Sequence, residues 1–378
     1  MTTNLRHAVG SLLVVGLSGQ ELTGLERAWL KLVRPAGIIL FKRNVANRAQ
    51  TRTLLSDATS LCAPHSLRCV DVEGGTVDRL RDALAPMPSA QAVAQKVTQT
   101  GRYKLIREQG ELIARGVKAF GFNTTLAPVL DLGLPASASV MGTRCAASTS
   151  EGVIQYTQEF LAGLALHGVV GCGKHFPGLG GSTLDSHAET PSIERSFDQL
   201  WREDLAPYRE PVKQLPMIMV NHAAYPKTHG ADEPASVSKF WITTVLRQQI
   251  GYRGLVFSDD MEMGGILKFM PIEEAAVASG RAGMDLIEIC HSPELILRAF
   301  EALIAEAERS AAFRNLVIER ARDSSRKRAK LFRDEFSPAL SAPQFEALRK
   351  SIVLFGEAIG AASPSLEGER AATNVESV

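Results

Sequence analysis

"VVGCGKHFPGLGGSTLDSHAETP", Val169 to Pro191, joins two kinds of sequence. Its opening, Val169–Cys172, is apolar and reads as a buried strand. The remainder holds Lys174, His175, Asp185, His187 and a cluster of glycines. Glycine supplies backbone freedom and no packing, and Lys, His and Asp supply charge and protons. The stretch reads as a strand running into a loop that carries chemistry.

Outward from this point the same alternation recurs. Apolar runs lie at Leu12–Leu17, Gly37–Phe41, Leu67–Val72, Thr124–Leu130, Val169–Cys172, Met217–Asn221, Gly254–Phe257 and Leu286–Cys290. Amphipathic stretches such as "ELTGLERAWLKLVR", "RYKLIREQGELIARGVKAFG" and "EGVIQYTQEFLAGLALHG" separate them, with Gly121, Gly168 and Gly251 as helix stops. Strands alternating with helices pair in parallel through helical crossovers. The runs are continuous in apolarity, as strands buried on both faces are. Eight of them close a (β/α)8 barrel. The structural alternative is an open doubly wound sheet, but no G-x-G-x-x-G follows the first strand to support a dinucleotide site. Residues 8–336 read as the barrel with two trailing helical segments, Glu294–Arg309 and Phe313–Phe336. Residues 337–378 read as a C-terminal extension, its tail from about Ala361 disordered on composition.

The chain has 378 residues, 45% hydrophobic and 22% charged, with a net charge of +1. That leaves no basic field for nucleic acid. The five cysteines are scattered without a C-x-x-C pair, so the expectation is a reducing, cytoplasmic setting. "LRHAVGSLLVVGLSGQE" is short, broken by glycine and without a clear cleavage site, and reads as the first strand. No run reaches the roughly 20 apolar residues of a membrane span.

A parallel barrel builds its site at the C-terminal strand ends. There the sequence places Asp71 and Glu73, Asp131 with Arg144 beyond it, Lys174 and His175, Asn221 and His222, and "SDD", Ser258 to Asp260. Singly, each has a plainer reading. Asp131 and one of Asp259 and Asp260 suit a helix cap or turn, His222 a satisfied structural histidine, Arg79 a surface salt bridge. Convergence of five strand ends is harder to explain that way.

Elimination narrows the chemistry. There is no cofactor motif for hydride transfer, no P-loop and no G-x-S-x-G elbow. No His-x-His stands on an early strand, Asp185-Ser186-His187 sits on a glycine-rich platform unsuited to a metal, and no compact metal-ligand set is expected. Carboxylate nucleophile chemistry with a separate proton donor remains, as in glycoside cleavage. "GLVFSDD" supplies the carboxylate; adjacent strand residues face opposite ways, so one of Asp259 and Asp260 is expected in the mouth. Asp185 can orient His187 and stabilise its charged form.

At these residues the chain resembles the single-domain β-N-acetylglucosaminidases of glycoside hydrolase family 3. The resemblance runs from about Val14 to about Cys290 and rests on "GIILFKRN", "DVEGGTVDRL", "LAPVLDL", "KHFPGLGG", "DSHAETP", "PASVSKFW" and "GLVFSDDMEM". It implies Asp259 as nucleophile, His187 as acid/base and Asp185 as its partner. It implies Asp71, Arg79, Arg144, Lys174 and His175 as ligands of a terminal N-acetylglucosamine, and no cofactor or metal. The implied reaction is retaining exo-hydrolysis of cell-wall muropeptide fragments. A phosphorylase, a β-glucosidase-like enzyme or a non-catalytic sugar-binding barrel are the rivals. The chain departs from the family pattern at Val72, Thr76, Thr143 and Leu179, the last where histidine is usual.

Overall fold

The computed structural model describes residues 4–182, 190–230, 233–333 and 335–360. Each of the eight apolar runs holds a strand: β1 Leu13–Val15, β2 Gly37–Leu40, β3 Leu67–Val70, β4 Thr124–Thr125, β5 Val170–Phe176, β6 Met217–Val220, β7 Leu255–Asp260 and β8 Leu286–Ile289. They close in the order β1-β8-β7-β6-β5-β4-β3-β2 with every neighbour parallel. The fold is a (β/α)8 barrel, and closure excludes the open sheet.

Alternation along the strands sorts their apolar residues into two cores. Val14, Ile39, Cys69, Leu126, Cys172, Met219, Phe257 and Leu286 pack together inside the barrel. Leu13, Val15, Ile38, Leu40, Val70, Ile218, Val256 and Ile287 join the larger cluster under the helices. The glycines read as helix stops take positive φ, 96° at Gly121, 64° at Gly168 and 77° at Gly251. Helices Lys104–Ala119 and Ser150–Ala165 approach so closely that a Cβ on Gly163 would stand 2.2 Å from the Arg107 carbonyl oxygen.

Several boundaries differ from the sequence reading. β4 stops at Thr125, and Pro128 in that run has no N–H to give a ladder. β5 runs on to Phe176, so Lys174 and His175 belong to the strand and not to the loop after it. The second trailing helix, Ala311–Leu331, ends before Phe336 because Phe332 turns extended (φ −116°) and buries its ring in the inner core. The first trailing helix is Pro293–Arg309, and serine caps both, Ser292 and Ser310 accepting from backbone N–H groups. Beyond them, helix Ala342–Ile359 buries Leu348, Ile352, Phe355 and Ile359. The tail from Ala361 lies outside the described residues.

Candidate active site

The C-terminal mouth of the barrel holds a cavity lined by Asp71, Arg79, Arg144, Lys174, His175 and Asp259, six of the eight residues singled out in the sequence. Asp185 and His187 lie outside the described residues. Asp260, Glu288, Cys290, His291 and Leu179 also line it. Of the four departures from the family pattern, Leu179 alone reaches this lining; it is 4% exposed.

One side of the cavity is a continuous ion network. Lys174 Nζ stands 2.7 Å from Asp71 Oδ1 and 2.6 Å from Glu73 Oε1. Both Glu73 oxygens accept from Arg144, each at 2.9 Å. Arg144 Nη2 lies 3.2 Å from His175 Nε2, and His175 Nδ1 lies 2.6 Å from Asp131 Oδ2. A guanidinium can only donate, so Nε2 accepts and the His175 proton sits on Nδ1, toward Asp131. Asp131 Oδ1 accepts the Leu179 N–H at 2.7 Å, tying the start of the glycine loop to the network. Burial alone would raise the Glu73 carboxyl, but Arg144 and Lys174 outweigh it and hold it well below the usual value. Burial likewise works against the Lys174 charge, and Asp71 and Glu73 reverse that.

A β-bulge shapes the other side. Leu286 pairs with Phe257, but Glu288 pairs with Asp260, so β7 carries one more residue than β8 across this span. A bulge re-aims the side chains beside it. Leu255 and Phe257 face inward, Asp259 follows in the same parity, and the extra residue brings Asp260 to the cavity as well. The expectation that strand alternation admits only one of the two acids is therefore corrected: both line the cavity. They differ in their surroundings. Asp260 is 8% exposed, and its Oδ1 accepts from the Glu262 and Cys290 amides. Burial, with Glu262 nearby, pushes its carboxyl up to about 8. Asp259 is more open, and its Oδ1 accepts the Asp260 N–H at 3.0 Å.

Other plain readings also meet the structure. Asp131, read as a cap or turn, is 1% exposed and orients His175. His222 is a satisfied buried histidine, 2.7 Å from Ser236 Oγ and 2.9 Å from the Asp260 carbonyl, which steadies the end of β7. Arg79 is 8% exposed and lines the cavity, so it is no surface residue. The sequence analysis did not single out Glu288 or His291. Glu288 left a signal: it is a charged residue at inward parity, between Leu286 and Cys290, in an apolar strand. The expectation of no compact metal-ligand set is also corrected. Asp260, at the end of β7, and Cys290 and His291, just past the end of the neighbouring β8, each bring a ligand atom within 4.8 Å of the others.

The description "Glycosyl hydrolase family 3 N terminal domain" matches residues 4–320. A β-hexosaminidase of Stenotrophomonas maltophilia is 36% identical over 310 residues, 81% of this chain and 91% of that relative. A family 3 β-N-acetylglucosaminidase from Paenibacillus superposes with a TM-score of 0.83 at 30% identity, over 94% of this chain and 69% of that one. NagZ from Neisseria gonorrhoeae, solved in complex with N-trifluoroacetyl-D-glucosamine, gives 0.76 at 28% identity, over 94% and 98%. With a closed barrel, a charged mouth and a family match across most of its length, the chain belongs to glycoside hydrolase family 3 and is a glycoside hydrolase.

Proposed function

We propose that the protein is a cofactor-independent, retaining exo-β-N-acetylglucosaminidase acting on N-acetylglucosaminyl-anhydromuramic fragments of peptidoglycan in the cytoplasm. One observation carries this reading: residues from position 71 to position 259, implied as sugar ligands and nucleophile, gather around a single cavity. The sugar bound by the Neisseria relative is of the same class.

The Asp259 carboxylate attacks the anomeric carbon while His187 protonates the departing glycosidic oxygen. A glycosyl ester forms. His187 then takes a proton from water, water attacks the same carbon, and Asp259 leaves, so the β configuration returns. Asp185 orients His187. Asp71, Arg79, Arg144, Lys174 and His175 hold the sugar, with the ion network fixing the last three against one another. No step calls for a metal.

Turnover of an aryl N-acetylglucosaminide, with and without phosphate, tests the reading. Release of free sugar independent of phosphate is expected. A sugar phosphate formed only with phosphate would make the protein a phosphorylase. Sugar binding without turnover would make it a binding barrel.

His187→Ala is expected to slow substrates with poor leaving groups by roughly 10²–10⁴-fold, the usual worth of general acid catalysis. Activated aryl glycosides, which need little proton assistance, should suffer far less. Equal losses on both would remove His187 from the acid role. Asp185→Asn should give a milder form of the same profile.

A further inference from the structure

Beside the proposed nucleophile, the cavity wall between β7 and β8 gathers a thiol, an imidazole and two carboxyls. We propose that this wall is a binding site for a divalent transition-metal ion of the zinc type, with Asp260, Cys290 and His291 as ligands.

The first three bring their ligand atoms within 4.8 Å of one another. His291 Nε2 stands 3.5 Å from Asp260 Oδ2, long for a hydrogen bond. Two ligands each about 2.0–2.1 Å from a tetrahedral zinc ion stand about 3.3 Å apart, so the pair needs almost no movement to share one. The donor set selects the class of ion. A thiolate and an imidazole suit zinc and its neighbours, whereas calcium and magnesium take oxygen.

Glu288 supplies an independent observation. Its side chain is inward-facing and 2% exposed, it pairs in register with Asp260, and its Oε1 has no hydrogen-bond partner among the described residues. A buried carboxyl left unsatisfied is costly, and a cation held nearby would offset part of that cost. The surroundings orient the ligands as the outer shell of a metal site does. The Glu262 and Cys290 amides take Asp260 Oδ1, leaving Oδ2 toward His291. Glu262 accepts the His291 backbone N–H at 3.0 Å, which fixes the chain there, and Phe41 lies against the imidazole at 5.1 Å between ring centroids. Arg43 and Arg79 lie nearby and oppose a cation, and an ion binding here must displace the protons of its carboxyl and thiol ligands, as metals do.

An ion held here would stand against Asp259, whose carboxylate accepts the Asp260 N–H. It would narrow the cavity, so the site is inhibitory; this consequence rests on the proposed function, while metal binding itself does not.

Cobalt(II) titrated into the full-length protein tests the site without turnover. One equivalent should give a sulfur-to-cobalt charge-transfer band and intense tetrahedral d–d bands, both displaced by zinc. Cys290→Ser should remove the charge-transfer band, and His291→Asn, at the more open ligand, should weaken zinc binding at least tenfold by calorimetry. His187→Ala should leave both signals unchanged. Zinc should inhibit the wild type, and chelation should leave its turnover intact or raise it. Absence of the sulfur band in the wild type would overturn the proposal. So would zinc affinity that survives both Cys290→Ser and His291→Asn, or that disappears with His187→Ala. Failure of the hydrolase reading alone would leave the cobalt spectrum as expected and remove only the inhibition.

Discussion

Asp259→Ala is expected to lower kcat on an aryl N-acetylglucosaminide by roughly 10⁴- to 10⁶-fold, the scale of loss when a hydrolase that works through a covalent intermediate loses a central catalytic group. The fold should survive, because Asp259 stands at the end of β7 in the mouth and not in either core. The choice between the two acids follows from what holds them. Asp260 Oδ1 is tied to two backbone amides, and its carbonyl is tied to His222. Asp259 is the more open of the pair and continues the inward parity of Leu255 and Phe257. A fluorinated donor sugar that traps the glycosyl-enzyme should therefore label Asp259, read by mass spectrometry of the peptide spanning Leu255–Asp260. Label on Asp260, or an Asp260→Asn variant as inactive as Asp259→Ala, would mean that the bulge presents the other acid to the sugar.

Glu73→Gln is expected to destabilise the protein by about 3–5 kcal/mol, the cost of removing one partner from a buried ion pair. Glu73 is the hub of the network. It bridges Lys174 at 2.6 Å and Arg144 at 2.9 Å, and its side chain is 3% exposed. A glutamine keeps the shape but leaves Lys174 with Asp71 alone and Arg144 without its carboxylate. On the proposed reading, in which Arg144 and Lys174 hold the sugar and not the bond that breaks, the same change should raise KM more than it lowers kcat. Linkage gives the pH signature. The folded carboxyl lies well below its unfolded value, so its contribution is fully present above about pH 4.5 and is lost as pH falls toward the folded value. Wild type and Glu73→Gln should therefore converge in stability in strong acid and differ most near neutrality. Denaturant unfolding at several pH values reads this directly. A constant gap down to strong acid would show that Glu73 acts through packing and not through its charge.

The particular residues show how far the sequence reaches. The eight apolar runs were legible because a strand buried on both faces needs apolar side chains at every position, and that pattern survives in one dimension. Asp71, Lys174, His175 and Asp259 were legible as ionisable groups at the ends of such runs. Asp131 was misjudged because its partner, His175, is 44 residues away, and a buried carboxylate reads like a turn residue until that partner is known. Glu73 was noted as a strand-end acid, but nothing local says that it joins Arg144, 71 residues on.

What the sequence by itself determined was the barrel, its strand order along the chain, the end at which the charges gather and the class of chemistry those charges support. These follow from local periodicity and from the rule that parallel strands place their C-terminal ends together. Only the tertiary structure decided which charges touch. The bulge between Phe257 and Asp260 undid simple alternation and brought both acids to the cavity. Parallel pairing set the end of β7 beside the end of β8, so that Asp260, Cys290 and His291 meet. Both are matters of register between paired strands, which no single segment carries. Charges that meet through such pairing carry no periodic trace in the segments that hold them.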